Sequence, residues 1–579
     1  MKSLLKYLTK YRVESIISPL FKMLEACFEL TVPLVISSMI DNGIGNNDSR
    51  QVIKCFIILL ALGLIGLACS VTAQFFAAKA ATGFATGLRH DLFRHLMSLN
   101  YSSIDNLGTS AMITRMTTDV NTTQNGVNMF LRLFLRSPFI VIGATVMAFT
   151  INVKAALIFV GVVLLLSLLV FVIMKTNIPM LKKTQGVLDE VLNLTRENLS
   201  GVRVIRAFNR EEKEYETFKN TNSVLVKLQM KAGRISGLLN PLTYVVINLA
   251  IVALIGYSTN LVSKGELSTG AVVALYNYMS QILLELIKFA GLIVTINKAL
   301  ASANRISEVF NIPEGEPILE EQVSDETNNP SEGFPVEFRK VSLKYHEAGD
   351  EALTDISFAV SGGSTFGIIG GTGSGKTSLI NLIPAFYTPI SGTILIGDKD
   401  ISTYERSELR NLIGVVTQKS TLFRGTIREN LKWGNENASD EEILEAVRLA
   451  VATDVVESKG GLDAVVEADG KNFSGGQRQR LCIARALVRK PSILILDDAS
   501  SALDYATDHT LRANLKTLEY SPTVFIVSQR ASSVMEADNI LVLDNGEAVG
   551  LGSHNELRKN CSVYEEIYVS QYGNDKEES

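Results

Sequence analysis

Residues Gly370-Gly371-Thr372-Gly373-Ser374-Gly375-Lys376-Thr377 match the pattern G-x-x-x-x-G-K-[ST], and the chemistry of such a loop is phosphate binding. Glycines without a Cβ let successive backbone N–H groups converge on phosphate oxygens, and the helix that follows adds its positive N-terminal end. Lys376 is then the side chain for the β- and γ-phosphates, the Thr377 hydroxyl is a ligand for Mg²⁺, and Ser378 extends the nucleotide-binding set. The apolar run Phe366-Gly367-Ile368-Ile369 leads into the loop and reads as the buried strand that such a loop follows.

Two further stretches supply partners. Ile493-Leu494-Ile495-Leu496 runs into Asp497 and Asp498, the pattern of a buried strand delivering a carboxylate to a metal at its C-terminal edge. Phe473-Ser474-Gly475-Gly476-Gln477 precedes an amphipathic segment through Arg485, so its Ser-Gly-Gly turn at a helix start is a second phosphate cradle. One domain does not fold two such cradles onto the same nucleotide economically.

These residues resemble the ABC transporter family, specifically a half-transporter of the bacterial exporter kind, and the resemblance runs over nearly the whole chain. Gly370 to Thr377 looks like Walker A, Gln418 like the glutamine of the Q-loop, Phe473 to Gln477 like the signature, Asp497 like the end of Walker B, and Ser501-Ala502-Leu503-Asp504 like the D-loop. Tyr345 matches the aromatic that stacks on adenine. In the first half, Gly108 to Asp119 and Asn198 to Phe208 resemble the two coupling-loop regions, and Ala301 to Ile306 the approach to a linker. The resemblance implies ATP and Mg²⁺ as cofactors, with Thr377, Gln418 and Asp497 around the metal. It also implies a head-to-tail pair of nucleotide domains, each ATP held between one partner's Walker motifs and the other's signature. Phe473, Ser474, Gly475, Gly476, Gln477 and Asp504 would then serve the partner's nucleotide.

The chain departs from that family pattern twice. Asp498 stands where the family has a glutamate that activates water, and its side chain is one methylene, about 1.5 Å, shorter. A general base works within roughly 2.6–3.2 Å of its proton or through one water, so the shorter acid falls short of the productive position. Gln529, within Phe525-Ile526-Val527-Ser528-Gln529-Arg530, replaces the family's switch histidine and cannot relay a proton at neutral pH. Beside an intact signature, the two changes resemble the degenerate-site half of a heterodimeric, multidrug-type exporter working with a second, non-identical half-transporter. A homodimeric exporter that hydrolyses slowly is the alternative, and a lipid or peptide transporter or an ATP-gated regulator on the same scaffold also stays open.

The elements that must position these residues fall into two parts. The 579 residues are 47% hydrophobic and only 20% charged, a balance that favours a membrane protein, and the net charge of −5 offers no basic excess for nucleic acid. Charge-poor stretches at Ile16 to Ile40, Cys55 to Ala78, Ser137 to Val153, Ala155 to Met174, Ile235 to Ser263 and Leu267 to Leu284 predict six membrane-spanning helices in a lipid bilayer. Asn152 and Lys154 mark a very tight hairpin between the third and fourth. Lys and Arg gather before the first span and between spans two and three, which predicts both termini on the cytoplasmic side; the resemblance implies that the membrane is a bacterial inner (cytoplasmic) one. The segments Lys79 to Arg136 and Lys175 to Arg234 read as helices continuing into the cytoplasm.

The predicted fold class is therefore an all-α six-helix transmembrane domain (1–310), a linker (311–335), and an α/β P-loop nucleotide-binding domain (336–579). Its five cysteines are scattered and read as reduced residues in apolar surroundings. Glu25 and Glu29 with Lys22 in the first span, and Gln281 and Glu285 with Asn277 and Lys288 in the sixth, form polar stripes at membrane depth. Either they line a cavity for a small amphipathic substrate or they tie helices together.

Overall fold

One residue, Asn152, separates two long apolar helices. Its extended backbone (φ −157°) ends the first, and its side-chain oxygen accepts the Ala155 N–H of the second at 3.0 Å, so the turn and the N-cap are the same residue. Lys154, expected with it at the hairpin, lies in the first turn of the second helix. The computed structural model describes residues 2–315, 333–345 and 349–573, so most of the expected linker lies outside the described residues.

In chain order the helices are α1 (Leu4–Ile44), α2 (Ser49–Met97), the short α3 (Tyr101–Leu107), α4 (Thr109–Ile151), α5 (Val153–Ser200), the short α6 (Val202–Ala207), α7 (Glu211–Ser263) and α8 (Thr269–Phe310). Six of them are long and apolar enough to cross a membrane. A crossing takes about 20 residues. These helices run from 41 to 53 residues, so each continues well past the hydrocarbon, as the helix-forming composition of the intervening segments predicts.

The chain divides into two units: Met1–Met97 with Ser110–Pro313, and Ser98–Thr109 with Glu314–Ser579. In the first unit the helices meet through small residues. Ala26, Ala144, Ala148, Ala155, Ala156 and Ala274 are fully buried around Phe159 and Tyr278. Lipid removes the hydrophobic drive between helices, so close backbone approach at small side chains does the holding. Leu164, Leu168 and Phe171 of α5 stay exposed, the composition that acyl chains accept. The tip of the α5–α7 connection, α6, also leaves Val204 and Phe208 exposed. Cys55, Cys69, Cys482 and Cys561 are buried, and Cys27 is exposed on the span α1.

The second unit carries β1 (Val336–Leu343), β2 (Leu353–Val360), β3 (Thr365–Gly370), β4 (Ser391–Ile396), β5 (Ile413–Val416), β6 (Ile493–Asp497), β7 (Thr523–Ser528), β8 (Asn539–Asp544) and β9 (Glu547–Gly552). An antiparallel sheet has the order β2-β1-β4, extended by the short Lys399–Asp400. The other has the order β9-β8-β3-β7-β6-β5, parallel except for its edge strand β9. Every residue of β6 and β7 is buried, which is why both read as continuous apolar runs without alternation. Leu494 and Leu496 face one core and Ile493 and Ile495 the other, the period of two expected of a strand with both faces covered. The short α9 (Lys376–Ile380) follows β3, and the first core is roofed by α10 (Ile427–Lys432), α11 (Asp440–Leu449), α12 (Thr453–Lys459) and α13 (Gly475–Val488).

Candidate functional site

The C-terminal ends of β3, β6 and β7 lie side by side, and each delivers one of the predicted residue sets to the same edge of the sheet. The loop after β3 needs left-handed backbone at Gly373 (φ 83°) and Gly375 (φ 95°), and a Cβ on Gly375 would stand 2.8 Å from the Ala352 carbonyl. Lys376 begins a short helix, Lys376–Ile380, and its Nζ donates to the Gly370 carbonyl at 2.9 Å, the Gly371 carbonyl at 2.5 Å and Ser374 Oγ at 3.3 Å. The Thr377 hydroxyl lies 3.2 Å from both carboxylate oxygens of Asp497 at the end of β6.

These groups share one cleft of about 620 Å³. Tyr345, Thr372, Gly373, Gly375, Lys376, Thr377, Ser378, Gln418, Asp497, Asp498 and Gln529 all line it. Gly370, Gly371 and Ser374 stand behind, forming the loop and holding Lys376. Tyr345 Oη donates to Ser378 Oγ at 2.9 Å, tying the aromatic to the phosphate-loop helix. Burial pushes the Lys376 pKa down, against the attraction of Asp497 and Asp498. Burial likewise pushes both aspartates up, Asp497 against the Thr377 hydrogen bond and Asp498 against Arg530 and Lys376. A cleft with a poised cation and hydroxyl, carboxylate and amide oxygens from Thr377, Asp497 and Gln418 fits a polyphosphate with a hard cation such as Mg²⁺.

The signature residues lie elsewhere in the same unit. Ser474 caps α13, accepting from Gln477 N at 3.3 Å, while Gln477 Oε1 accepts the Ser474 N–H at 3.0 Å. This leaves the Gly475 and Gly476 end of α13 at the surface, and none of Phe473 to Gln477 lines the cleft. Asp504 is likewise outside it, capping the helix Tyr505–Leu515 through Thr507 N and Oγ1, both at 2.9 Å.

Several residues of the site carried no motif. Asp350, Glu351 and Ala352 line the cleft from the segment before β2, and Asn545-Gly546 from the β8–β9 hairpin. Asn545 (φ 46°) and Gly546 (φ 83°) are readable in sequence as a hairpin turn, but nothing there says the turn faces the nucleotide loop. Gln571 accepts the Ala531 N–H and donates to the Gln529 carbonyl, both at 2.8 Å, and no local signal marks it.

The polar stripes of the first unit are also brought together. Arg136 donates to Glu29 at 2.7 Å and to Glu285 at 2.6 Å, and Glu285 also accepts from Ser137 at 2.9 Å and Lys288 at 2.8 Å. Glu25 pairs with Lys22 at 2.6 Å, which reaches Ser70 at 3.0 Å. Gln281 Nε2 donates to the Glu29 carbonyl at 3.5 Å.

Comparison with known proteins gives this arrangement its family. Residues 15–286 match the family model described as ABC transporter transmembrane region, and residues 353–501 the model described as ABC transporter. Over its whole length, and all of the relative's, the chain is 35% identical to the uncharacterized ABC transporter ATP-binding protein YfiB of Bacillus subtilis. The chain belongs to the ABC transporter family. Other relatives of this transporter include the uncharacterized ABC transporter ATP-binding protein Rv1273c of Mycobacterium tuberculosis, 32% identical over 95% of each chain. YfiC of Bacillus subtilis is 30% identical over 99% of this chain and 94% of its own. A bacterial Atm1-family ABC exporter solved with ATP bound shares the fold, with a TM-score of 0.79, 23% identity and coverage of 98% and 99%. The transporter is thus a multi-pass membrane protein of exporter-type fold, and an ATPase coupled to transport across the bilayer.

Proposed function

We propose that this transporter is one half of a heterodimeric exporter, with a degenerate ATP site on its own Walker motifs and an intact signature for the partner's site. The observation that carries the reading is the composition of the cleft. Asp498 and Gln529 stand beside Lys376, Thr377 and Asp497, so the two departures from the family pattern fall on one nucleotide. Mg²⁺ and ATP would be held in the cleft by these residues: Tyr345 would stack on the base, the loop Gly370 to Ser378 with Lys376 would hold the phosphates, and Thr377, Gln418 and Asp497 would hold the metal. Mg²⁺ when bound neutralises phosphate charge. Asp498 is too short, and Gln529 too weakly basic, to turn that nucleotide over quickly.

Phe473 to Gln477 and Asp504 complete the partner's competent site. Their position outside this chain's own cleft, with the N-terminal end of α13 exposed, supports that assignment. The exposed apolar side chains Val204 and Phe208, either side of an exposed Arg206, support docking of the tip around α6 on a second half-transporter. The domains run 1–310, 311–335 and 336–579, both termini face the cytoplasm of a bacterial cell, and transport is outward. The substrate is small and hydrophobic or amphipathic. Pairing of Glu29 and Glu285 with Arg136, and the reach of Lys22 from α1 to Ser70 of α2, support the stripes as interhelical ties, while Lys22 occupies Glu25 within α1, against an open cation site.

Steady-state ATPase of the purified pair tests the reading, variant by variant. Asp498→Asn should leave most of the activity, whereas Gly475→Trp should cost on the order of 10²–10³ in rate, the scale of a lost transition-state phosphate contact. Equal and complete loss from both would make this chain's own Walker site a working catalytic centre.

A further inference from the structure

Strand β7 ends its ladder with β3 at Ser528, one residue before Gln529. Arg530 keeps an extended backbone (φ −97°, ψ 123°) beyond the end of that strand. The side-chain amide of Gln571 pairs with the backbone on either side of it. Its Oε1 accepts the Ala531 N–H and its Nε2 donates to the Gln529 carbonyl, both at 2.8 Å. A carbonyl and the N–H two residues on are the pair that one residue of a parallel neighbour meets in a ladder. A glutamine amide offers the same donor and acceptor from a single plane, so Gln571 acts as a one-residue strand beside Arg530.

Gln571 arrives there on the helix Ser562–Tyr572. Tyr564 and Tyr568 of that helix are buried in the core that α13 covers, and Gln571 follows them at i, i+4 and i+7, on the same face. His554 Nδ1 lies 2.7 Å from the Tyr564 hydroxyl, and Arg558 sits over the Tyr568 ring at 4.1 Å while pairing with Glu565 at 3.1 Å. The helix is therefore anchored by its aromatic face, and Gln571 is delivered from a fixed base.

We infer that Gln571 is a positioning residue for Gln529. Holding the Gln529 carbonyl fixes the ψ of that residue, and holding the Ala531 N–H fixes the peptide beyond it. Together they set the direction of the Gln529 side chain, which lines the nucleotide cleft. A donor aimed before the nucleotide arrives does not spend ordering free energy on binding it. The contact at stake is the terminal phosphate, so the clamp favours ATP over ADP in this chain's own site. It acts on binding and operates however slowly that site hydrolyses. The inference rests on the reading of Gln529 as the residue in the switch position that faces the γ-phosphate.

Chain-resolved photolabelling of the full-length assembled transporter in lipid nanodiscs, with 2-azido-ATP and 2-azido-ADP in Mg²⁺ buffer on ice, tests it. The readout is the ratio of the two apparent affinities on this chain's band. Gln571→Leu deletes both bonds, and Gln571→Glu keeps the acceptor but turns a carboxylate on the Gln529 carbonyl. Each should weaken ATP labelling by at least about threefold, the scale of one side chain left to be ordered on binding, with ADP labelling unchanged. Gln529→Ala should weaken ATP labelling by about tenfold or more, the scale of a lost hydrogen bond to a charged group. In the Gln529→Ala background, Gln571→Leu should add nothing, because its effect passes through the side chain already removed. An unchanged ratio in Gln571→Glu overturns the inference, as does an equal loss of ATP and ADP labelling, which a merely structural role would give. A loss in the double variant equal to the sum of the single losses overturns it too. An unchanged ratio in Gln529→Ala refutes the underlying reading, and the inference falls with it. A shifted ratio there beside an unchanged one in both Gln571 variants sinks the inference alone.

Discussion

Gln479 holds the backbone of Asp498. Its amide Nε2 donates to the Asp498 carbonyl at 3.1 Å and its Oε1 accepts the Ala502 N–H at 3.2 Å, so a buried side chain of α13 brackets the turn after β6. Asp498 itself has left-handed backbone (φ 49°), a conformation that surrounding contacts must enforce on a residue with a Cβ. Gln479→Leu removes both partners and should cost about 1–3 kcal/mol for the unpaired backbone groups. Thermal unfolding of the purified transporter would show the loss, and ATPase activity should fall with it because the turn leads to the D-loop.

The two signature glycines should separate stability from function. A Cβ on Gly475 would meet nothing nearer than Ala502 Cβ at 3.8 Å, whereas one on Gly476 would stand 2.8 Å from the Ala502 carbonyl. Gly476→Ala is therefore expected to destabilise the folded chain by about 1–3 kcal/mol through backbone strain. Gly475→Ala should leave the melting temperature within about 1 °C, a surface change. A loss of turnover in Gly475→Ala without a loss of stability would locate its role in the assembled pair.

Arg136 anchors two carboxylates of very different exposure. The side chain of Glu285 is 3% exposed and that of Glu29 is 40% exposed. Arg136→Met takes the buried cation from Glu285, which keeps Ser137 and the half-exposed Lys288, so about 1.5–3 kcal/mol is expected, the scale of lost hydrogen bonds to a charged group. Glu29→Gln breaks a half-open pair, for which about 0–1 kcal/mol is expected. Detergent melting curves of the two variants should therefore differ clearly, and comparable shifts would show that the node is wetter than its burial indicates.

Asp497 predicts a pH dependence with a definite sign. Burial outweighs the Thr377 hydrogen bond and the attraction of Lys376, so the folded pKa stands above the ordinary aspartate value of 3.8. The folded chain then keeps this proton to higher pH than the unfolded chain does. The associated stability is complete below 3.8 and is lost as pH rises through the folded pKa. In nucleotide-free, Mg-free buffer, Asp497→Asn should raise the melting temperature at pH 8 and lose that advantage as the pH falls towards 4. A constant difference across the range would mean that Asp497 titrates at its ordinary value.

The chemistry was legible in sequence wherever it depends on consecutive residues. The loop Gly370 to Thr377, the strand ending at Asp497 and the cap Ser474 to Gln477 are local devices, built from glycine backbone freedom, an apolar run and a capping box. The six spans were legible for the same reason, since about 20 apolar residues in a row have few other fates. The helix ends were less so. The first span, expected over Ile16 to Ile40, runs over Leu4–Ile44, because the amphipathic turns at its ends do not carry the hydropathy of its centre.

What only the tertiary structure decided are the meetings between residues distant in the chain. Glu29 of the α1 stripe and Glu285 of the α8 stripe meet on Arg136 of α4, which lies in neither stripe. Gln479 and Gln571 are ordinary glutamines in sequence, and each acquires its role from backbone groups that another segment presents. Local sequence sets dihedral preferences and faces. Which hydrogen-bonding groups are buried together, and so must pair, is set by the parallel order of β3, β7 and β6 and by the helices that cover them.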